Sequence, residues 1–186
     1  MTDAELAAHL AEVAGRILLE VRASGVFEGK ALGKAGDQVA NQFLVHALRM
    51  QRPEDGLLSE ESKDTFERLD KPRVWIIDPV DGTREYGEAR SDWAVHVGLA
   101  VKGEARVGAV ALPGLDGGMV LRTDKPLPLR EPAAKPRLVV SRTRPAAEAV
   151  AVAEAIGGEL VEMGSAGAKA MAVVLGAADI YLHSGG

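Results

Sequence analysis

The 186-residue sequence predicts a mixed α/β fold, α/β with α+β character, built in stacked layers. Three observations predict it. Helical periodicity fills most of the first fifty residues. Short β-prone segments follow, two of them joined by a tight polar turn. From about residue 138 strands and helices alternate. An apolar share of 47% beside 26% charged residues suits a domain with a real core.

The elements run in order. Thr2 and Glu5 form a capping-box pair, and Leu6, Leu10, Val13 and Ile17 follow at helical spacing, which predicts a helix over 3–22. A second helix is predicted over 37–50, with Val39, Phe43, Leu44 and Leu48 on one face and Asp37 near its N-terminus. Val74-Trp75-Ile76-Ile77 reads as a buried strand ended by Asp78-Pro79. Trp93–Val101 and Arg106–Leu112 form a hairpin across Lys102-Gly103-Glu104. Met119–Arg122 and Leu138–Ser141 are further strands. Pro145 marks the first position of a helix that Gly157-Gly158 closes. Leu160–Met163 is strand-like, a helix runs from Ala166 to Leu175 with Gly176 as its cap, and Asp179–His183 is the last strand.

At this length one domain is expected, spanning 1–186, with one half over about 1–125 and a second α/β half over about 135–186. The sequence stops on Gly185-Gly186 directly after an apolar strand, so a C-terminal piece is expected to be missing. The net charge of −5 lacks the basic footprint of a nucleic-acid binder. The absence of cysteine excludes a disulfide scaffold and thiolate chemistry. Glu12, Arg16 and Glu20 interrupt every apolar stretch near the start, which excludes a signal peptide or membrane span there. A cytoplasmic protein is expected.

The chemistry concentrates in Asp78-Pro79-Val80-Asp81-Gly82-Thr83. Two carboxylates three apart leave the end of an apolar strand, where the backbone is rigid and the turn aims side chains outward. An ordinary Asp-Pro turn with an N-cap has the same look. Upstream acids weigh against that plain reading: Glu60-Glu61 follow the apolar pair Leu57-Leu58, and Asp37 lies in Gly36-Asp37-Gln38. Asp78, Asp81 and one glutamate are the oxygen donors that a hard cation such as Mg²⁺ takes beside waters and substrate phosphate. His9, His46, His96 and His183 show no zinc spacing and read as structural. The spacing is one residue too long for an aspartyl-phosphatase D-x-D-G-T, and the EF-hand, P-loop and dinucleotide patterns are absent.

With Ser59-Glu60-Glu61-Ser62, Asp78 to Thr83 and Gly164-Ser165-Ala166-Gly167-Ala168-Lys169 in hand, the sequence resembles the inositol monophosphatase superfamily of Mg²⁺-dependent phosphomonoesterases over essentially its whole length. Arg84-Glu85-Tyr86, Val140-Ser141-Arg142 and Lys169 resemble the CysQ-type branch, the 3′(2′),5′-bisphosphate nucleotidases that convert 3′-phosphoadenosine 5′-phosphate to AMP. The resemblance implies an α-β-α-β-α sandwich, often a homodimer, and two or three Mg²⁺ ions. It implies one ion on Glu60, Asp78 and the Val80 carbonyl, and another on Asp78, Asp81 and an aspartate of a Trp-Asp step that would fall beyond Gly186. It further implies Asp37 and Thr83 orienting the attacking water, with Glu60 as the third catalytic residue. Gly82, Thr83, Ser141, Arg142, Ser165 and Lys169 would bind substrate. Inositol or sugar phosphates are the alternative substrates, and a silent metal-binding domain is the alternative without catalysis. No nucleic-acid polymer and no membrane is an expected partner.

Overall fold

In a computed structural model, which describes residues 1–115, 117–128 and 130–183, the chain forms two compact units, Met1–Pro126 and Leu127–Gly186. The first holds α1 (Asp3–Ala23), α2 (Gly29–Gln51), β1 (Gly56–Ser59), β2 (Arg73–Asp81), α3 (Thr83–Gly87), β3 (Ala94–Val101), β4 (Glu104–Leu112) and β5 (Met119–Arg122). Its sheet has the order β1-β2-β3-β4-β5, with β1 parallel to β2 and every other pair antiparallel. The helices cover one face: α1 packs on β3, β4 and β5, and α2 on β1 and β2. Trp75, Ile77, Val95, Val97, Ala109 and Ala111 point into that core, where they meet Leu6, Leu10, Leu18, Leu44 and Leu48.

The capping box at the start of α1 is complete. The Thr2 amide donates to Glu5 Oε2 at 2.8 Å, and the Glu5 amide donates to Thr2 Oγ1 at 3.2 Å. Helix α2 begins at Gly29, eight residues before the predicted start, because packing overrides propensity there. Gly29, Gly33 and Gly36 blur the apolar period, yet two of them are required by the close crossing of α2 and α3. A Cβ on Gly33 would stand 2.8 Å from Thr83 Cγ2, and one on Gly36 2.5 Å from Tyr86 Cε1. The buried face therefore runs through Leu32, Asp37, Ala40, Leu44 and Leu48, while Val39 is exposed and Phe43 only partly covered. Asp37 sits two turns inside the helix rather than at its start.

Strand β2 alternates, with Trp75 and Ile77 buried and Ile76 exposed, so it is covered on one face where full burial was predicted. It also continues through Asp78-Pro79 to Asp81, for a reason that belongs to the site. The β3–β4 hairpin turns on Lys102 (φ +53°) and Gly103 (φ +81°), the left-handed pair that matches strand twist. Strand β1 is an addition to the predicted elements: four residues are too few to show a period.

The second unit holds β6 (Arg137–Ser141), α4 (Ala147–Ile156), β7 (Glu159–Met163), α5 (Ala166–Val174) and β8 (Ile180–Tyr181). Its sheet is parallel in the order β7-β6-β8, with α4 packed on β6 and β7, and α5 on β6 and β8. Helix α4 starts behind the cap residue Ala146, so Pro145 precedes the cap instead of filling the first helical position, and Gly157 (φ +66°) ends it. Helix α5 ends at Val174, one residue short of the prediction, with Leu175 in the cap position and Gly176 (φ +72°) beyond it. Strand β8 is shorter than predicted at both ends: Leu182 and His183 lie beyond it, and at its start Asp179 is occupied otherwise, its carboxylate accepting from the Ala133 and Arg137 amides and from the Arg137 guanidinium. Ser184–Gly186 lie outside the described residues. Two sheets with helices packed on them make the mixed α/β layered class that the sequence predicts. Among the described residues no helix is long and apolar enough to cross a membrane.

Candidate active site

Parallel pairing of β1 with β2 brings the acidic motifs together. Ser59 lies opposite Ile77, and the Glu60 amide donates to the Ile77 carbonyl at 3.3 Å. Glu60 and Asp78 therefore leave neighbouring strands at the same carboxyl edge, where open sheets place their ligands. The turn after β1 is held by α2. Ser59 Oγ donates to Asn41 Oδ1 at 2.6 Å, Asn41 Nδ2 donates to Ser62 Oγ at 3.0 Å, and the Glu61 amide donates to Ser59 Oγ at 3.3 Å. Asn41 is one helical turn from Asp37, so one face of α2 serves both.

At the end of β2 the pairing slips. Asp78 faces His96 on β3, but Asp81 faces Ala94, so three steps on β2 match two on β3. This β-bulge carries the extra residue beside Pro79, whose missing N–H makes it unfit for a regular ladder. The Val80 amide donates to Asp78 Oδ1 at 3.1 Å and closes the local turn. The result is that Asp78 and Asp81 share one place: an oxygen of each and a nitrogen of His96 all lie within 4.8 Å of one another. His96 Nε2 is 3.0 Å from Asp81 Oδ2.

Gly82 (φ +89°) then turns the chain into α3. Thr83 Oγ1 lies 3.0 Å from the Val80 carbonyl and 3.3 Å from Asp37 Oδ1, which ties α2 to the bulge. Helix α3 is anchored by Tyr86, whose hydroxyl donates to the Leu18 carbonyl at 2.7 Å and whose ring meets Trp93 edge-on at 5.0 Å. Arg22 lies over both rings, at 4.6 and 5.1 Å, and donates to the Tyr86 and Arg90 carbonyls.

Burial, then the charge of Glu61, pushes the Asp37 carboxyl up to about 7, against the Thr83 hydrogen bond. Burial, then the charges of Asp81 and Glu60, pushes Asp78 up to about 7 as well. Burial pulls the His96 imidazole down, but the hydrogen bond to Asp81 and the surrounding carboxylates carry it above its ordinary value. Such crowding of half-buried acids is costly without a cation. Oxygen donors converging at one strand edge fit a hard divalent ion.

These shifts fix a pH dependence. Between about pH 4 and 7 the folded state binds more protons at Asp37 and Asp78 than the unfolded state, so stability falls as pH rises through that window. His96 adds the same sign, because its raised folded value favours the fold below its unfolded value and loses that contribution as pH rises. Asp179, held far below the carboxylate range by its hydrogen bonds from Arg137, acts oppositely and only in acid. EDTA-treated protein is expected to melt lower at pH 7.5 than at pH 5.5, with added Mg²⁺ narrowing the gap. Equal melting temperatures in EDTA would remove the buried-charge account.

All seven predicted residues of the first unit, Asp37, Glu60, Asp78, Val80, Asp81, Gly82 and Thr83, belong to this one edge. The other four lie together at the carboxyl edge of the second unit's sheet, where Ser141 pairs with Met163. The Arg142 amide donates to the Met163 carbonyl at 3.0 Å. Ser165 (φ +45°) caps α5 by accepting from the Ala168 amide at 2.9 Å. The Lys169 ammonium is buried and donates to the Gly164 and Ser165 carbonyls at 3.2 and 2.8 Å. Sequence reading missed Asn41, Arg22 and His96. For His96 a signal existed: two strands in antiparallel register put a residue of the second opposite the first acid.

Known proteins share much of this sequence and its fold. The model of the inositol monophosphatase family matches residues 2–186. A 3′-phosphoadenosine 5′-phosphate phosphatase of Mycobacterium leprae is 46% identical over 200 residues, covering 100% of this chain and 73% of that protein. Its namesake in Mycobacterium bovis is 48% identical over 183 residues, covering 93% and 68%. Among solved structures, inositol monophosphatase II of Staphylococcus aureus superposes with a TM-score of 0.77 at 20% identity, over 96% of this chain and 72% of that one. The chain, a phosphoric monoester hydrolase, belongs to the inositol monophosphatase family.

Proposed function

We propose that the chain is a Mg²⁺-dependent phosphomonoesterase that hydrolyses 3′-phosphoadenosine 5′-phosphate to AMP and phosphate. The observation that carries this reading is the convergence of Asp37, Glu60, Asp78 and Asp81 at one strand edge, two of them pushed up to about 7. The similarity to the two mycobacterial phosphatases supports the substrate. Glu60, Asp78, Asp81 and the Val80 carbonyl would hold two or three Mg²⁺ ions. Bound there, the ions supply charge neutralisation on the phosphate and an acidified water.

The remaining work falls to the chain. Asp37 and the Thr83 hydroxyl orient the attacking water and take up its proton at Asp37, whose raised value suits that exchange near neutral pH. Glu60 fixes the cation side of the attack. The Gly82 and Thr83 amides meet the phosphate oxygens as direct donors; α3, five residues long, adds little dipole. Positioning and charge neutralisation suffice for phosphoryl transfer, and no covalent enzyme intermediate is needed. Ser141, Arg142, Ser165 and Lys169 of the second unit are proposed to bind substrate. A homodimer in the cytoplasm belongs to the same proposal.

The test is phosphate release from 3′-phosphoadenosine 5′-phosphate and from inositol 1-phosphate, each with Mg²⁺ and with EDTA. The expected result is Mg²⁺-dependent release with the higher kcat/KM on the nucleotide. A higher value on inositol 1-phosphate would overturn the substrate, and release unaffected by EDTA would overturn the metal.

A further inference from the structure

His96 differs from the other three histidines. His9, His46 and His183 are exposed, whereas His96 is partly buried on β3, opposite the first residue of the bulge. Its ring meets Asp81, the residue the bulge displaces, at 3.0 Å. An ionised carboxylate only accepts hydrogen bonds, so the proton of this contact sits on His96 Nε2 whether or not Nδ1 also carries one. A carboxylate turns readily about its Cβ–Cγ bond, and a fixed donor on one oxygen removes that freedom. The strand supplies a rigid base for the donor, since β3 lies between β2 and β4 in the sheet.

We propose that His96 is a positioning residue for Asp81, orienting its carboxylate so that it meets the cation beside Asp78 in a set geometry. This inverts the usual arrangement, in which a carboxylate orients a histidine ligand, but it uses the same chemistry: partners behind a ligand typically carry about 10–100-fold in metal affinity. The inference rests on the metal site of the proposed function. It adds that the Asp78–Asp81 site depends on β3 through the contact of His96 with Asp81.

The experiment is a Mn²⁺ titration followed by electron paramagnetic resonance, with Mn²⁺ standing in for Mg²⁺, on the wild type, His96→Leu and His96→Gln. His96→Leu is expected to weaken one class of Mn²⁺ site by about 10–100-fold and leave the other within a few-fold. His96→Gln keeps an N–H at similar reach and is expected to restore binding to near wild type, a rescue that a purely structural role would not give. Should His96→Leu fold poorly by circular dichroism, His96→Asn, polar but too short to reach Asp81, decides in its place with the same expected loss. Unchanged Mn²⁺ binding in the folded variant overturns the positioning role while leaving the metal site standing. Absence of Mn²⁺ binding in the wild type overturns the metal site, and the inference with it.

Discussion

Asp81→Asn is expected to abolish Mg²⁺-dependent phosphate release while the protein stays folded. Asp81 is the acid that the bulge brings next to Asp78, and their mutual repulsion is part of what pushes Asp78 up to about 7. A neutral amide removes a charge that a cation needs and relieves a repulsion that the fold bears. The two readouts should therefore move apart: turnover falls, and the melting temperature in EDTA holds or rises. Metal neutralisation of developing phosphate charge supplies several kcal/mol, so losing its ligand should cost about three powers of ten in rate. Near-normal turnover in folded Asp81→Asn would remove Asp81 from the site.

Asp37→Asn carries the second large effect. Asp37 is 9% exposed, the charges of Glu61 and Glu60 raise its carboxyl, and Thr83 Oγ1 is its hydrogen-bonding neighbour at 3.3 Å. The asparagine can still accept from Thr83 but cannot take a proton from water, so the rate should fall by about 10²–10⁴-fold, the usual size of a general-base contribution. Removing a buried charge should at the same time stabilise the fold, by roughly 2–4 °C for each kcal/mol in a chain of this size. Phosphate release and thermal melting at pH 7.5 check both. Unchanged turnover would mean that Asp37 does not handle the proton of the water.

Much of the site was legible because its residues are contiguous. Asp78 to Thr83 announce themselves as two acids and a Gly-Thr step after an apolar strand, and Glu60 follows an apolar pair in the same way. The elements with strong local signals, α1 with its capping box and the β3–β4 hairpin with its two-residue turn, were legible for the same reason. What was not legible depends on pairing at a distance. The early start of α2 is permitted by the close approach of Thr83 and Tyr86 to Gly33 and Gly36, which no window of sequence contains. His96 reads as one histidine among four until β3 is set antiparallel to β2. Asn41 reads as helix surface until Ser59 and Ser62 are brought against it. The extension of β2 was hidden by Pro79, which ends an ordinary strand but is tolerated at a bulge.

The bulge has a consequence for how this chain can vary. In a regular strand residues three apart fall on opposite faces, so Asp78 and Asp81 share one only because the bulge holds an extra residue between them. The four residues from Asp78 to Asp81 are a phase step: on one side Trp75 and Ile77 face the core, and on the other the chain must reach Gly82 and Thr83 with Asp81 beside Asp78. Removing Pro79 or Val80 would leave both aspartates in place and restore two-for-two pairing with β3, yet it would erase the bulge and with it the local turn in which the Val80 amide donates to Asp78 and the Val80 carbonyl lies beside Thr83. The loop between β1 and β2, which holds only a short 3₁₀ turn, can gain or lose residues at small entropic cost. The segment is thus free to change its letters at some positions but not its length, so insertions and deletions should be tolerated between 63 and 72, in the loop before β2, and rejected between 78 and 83.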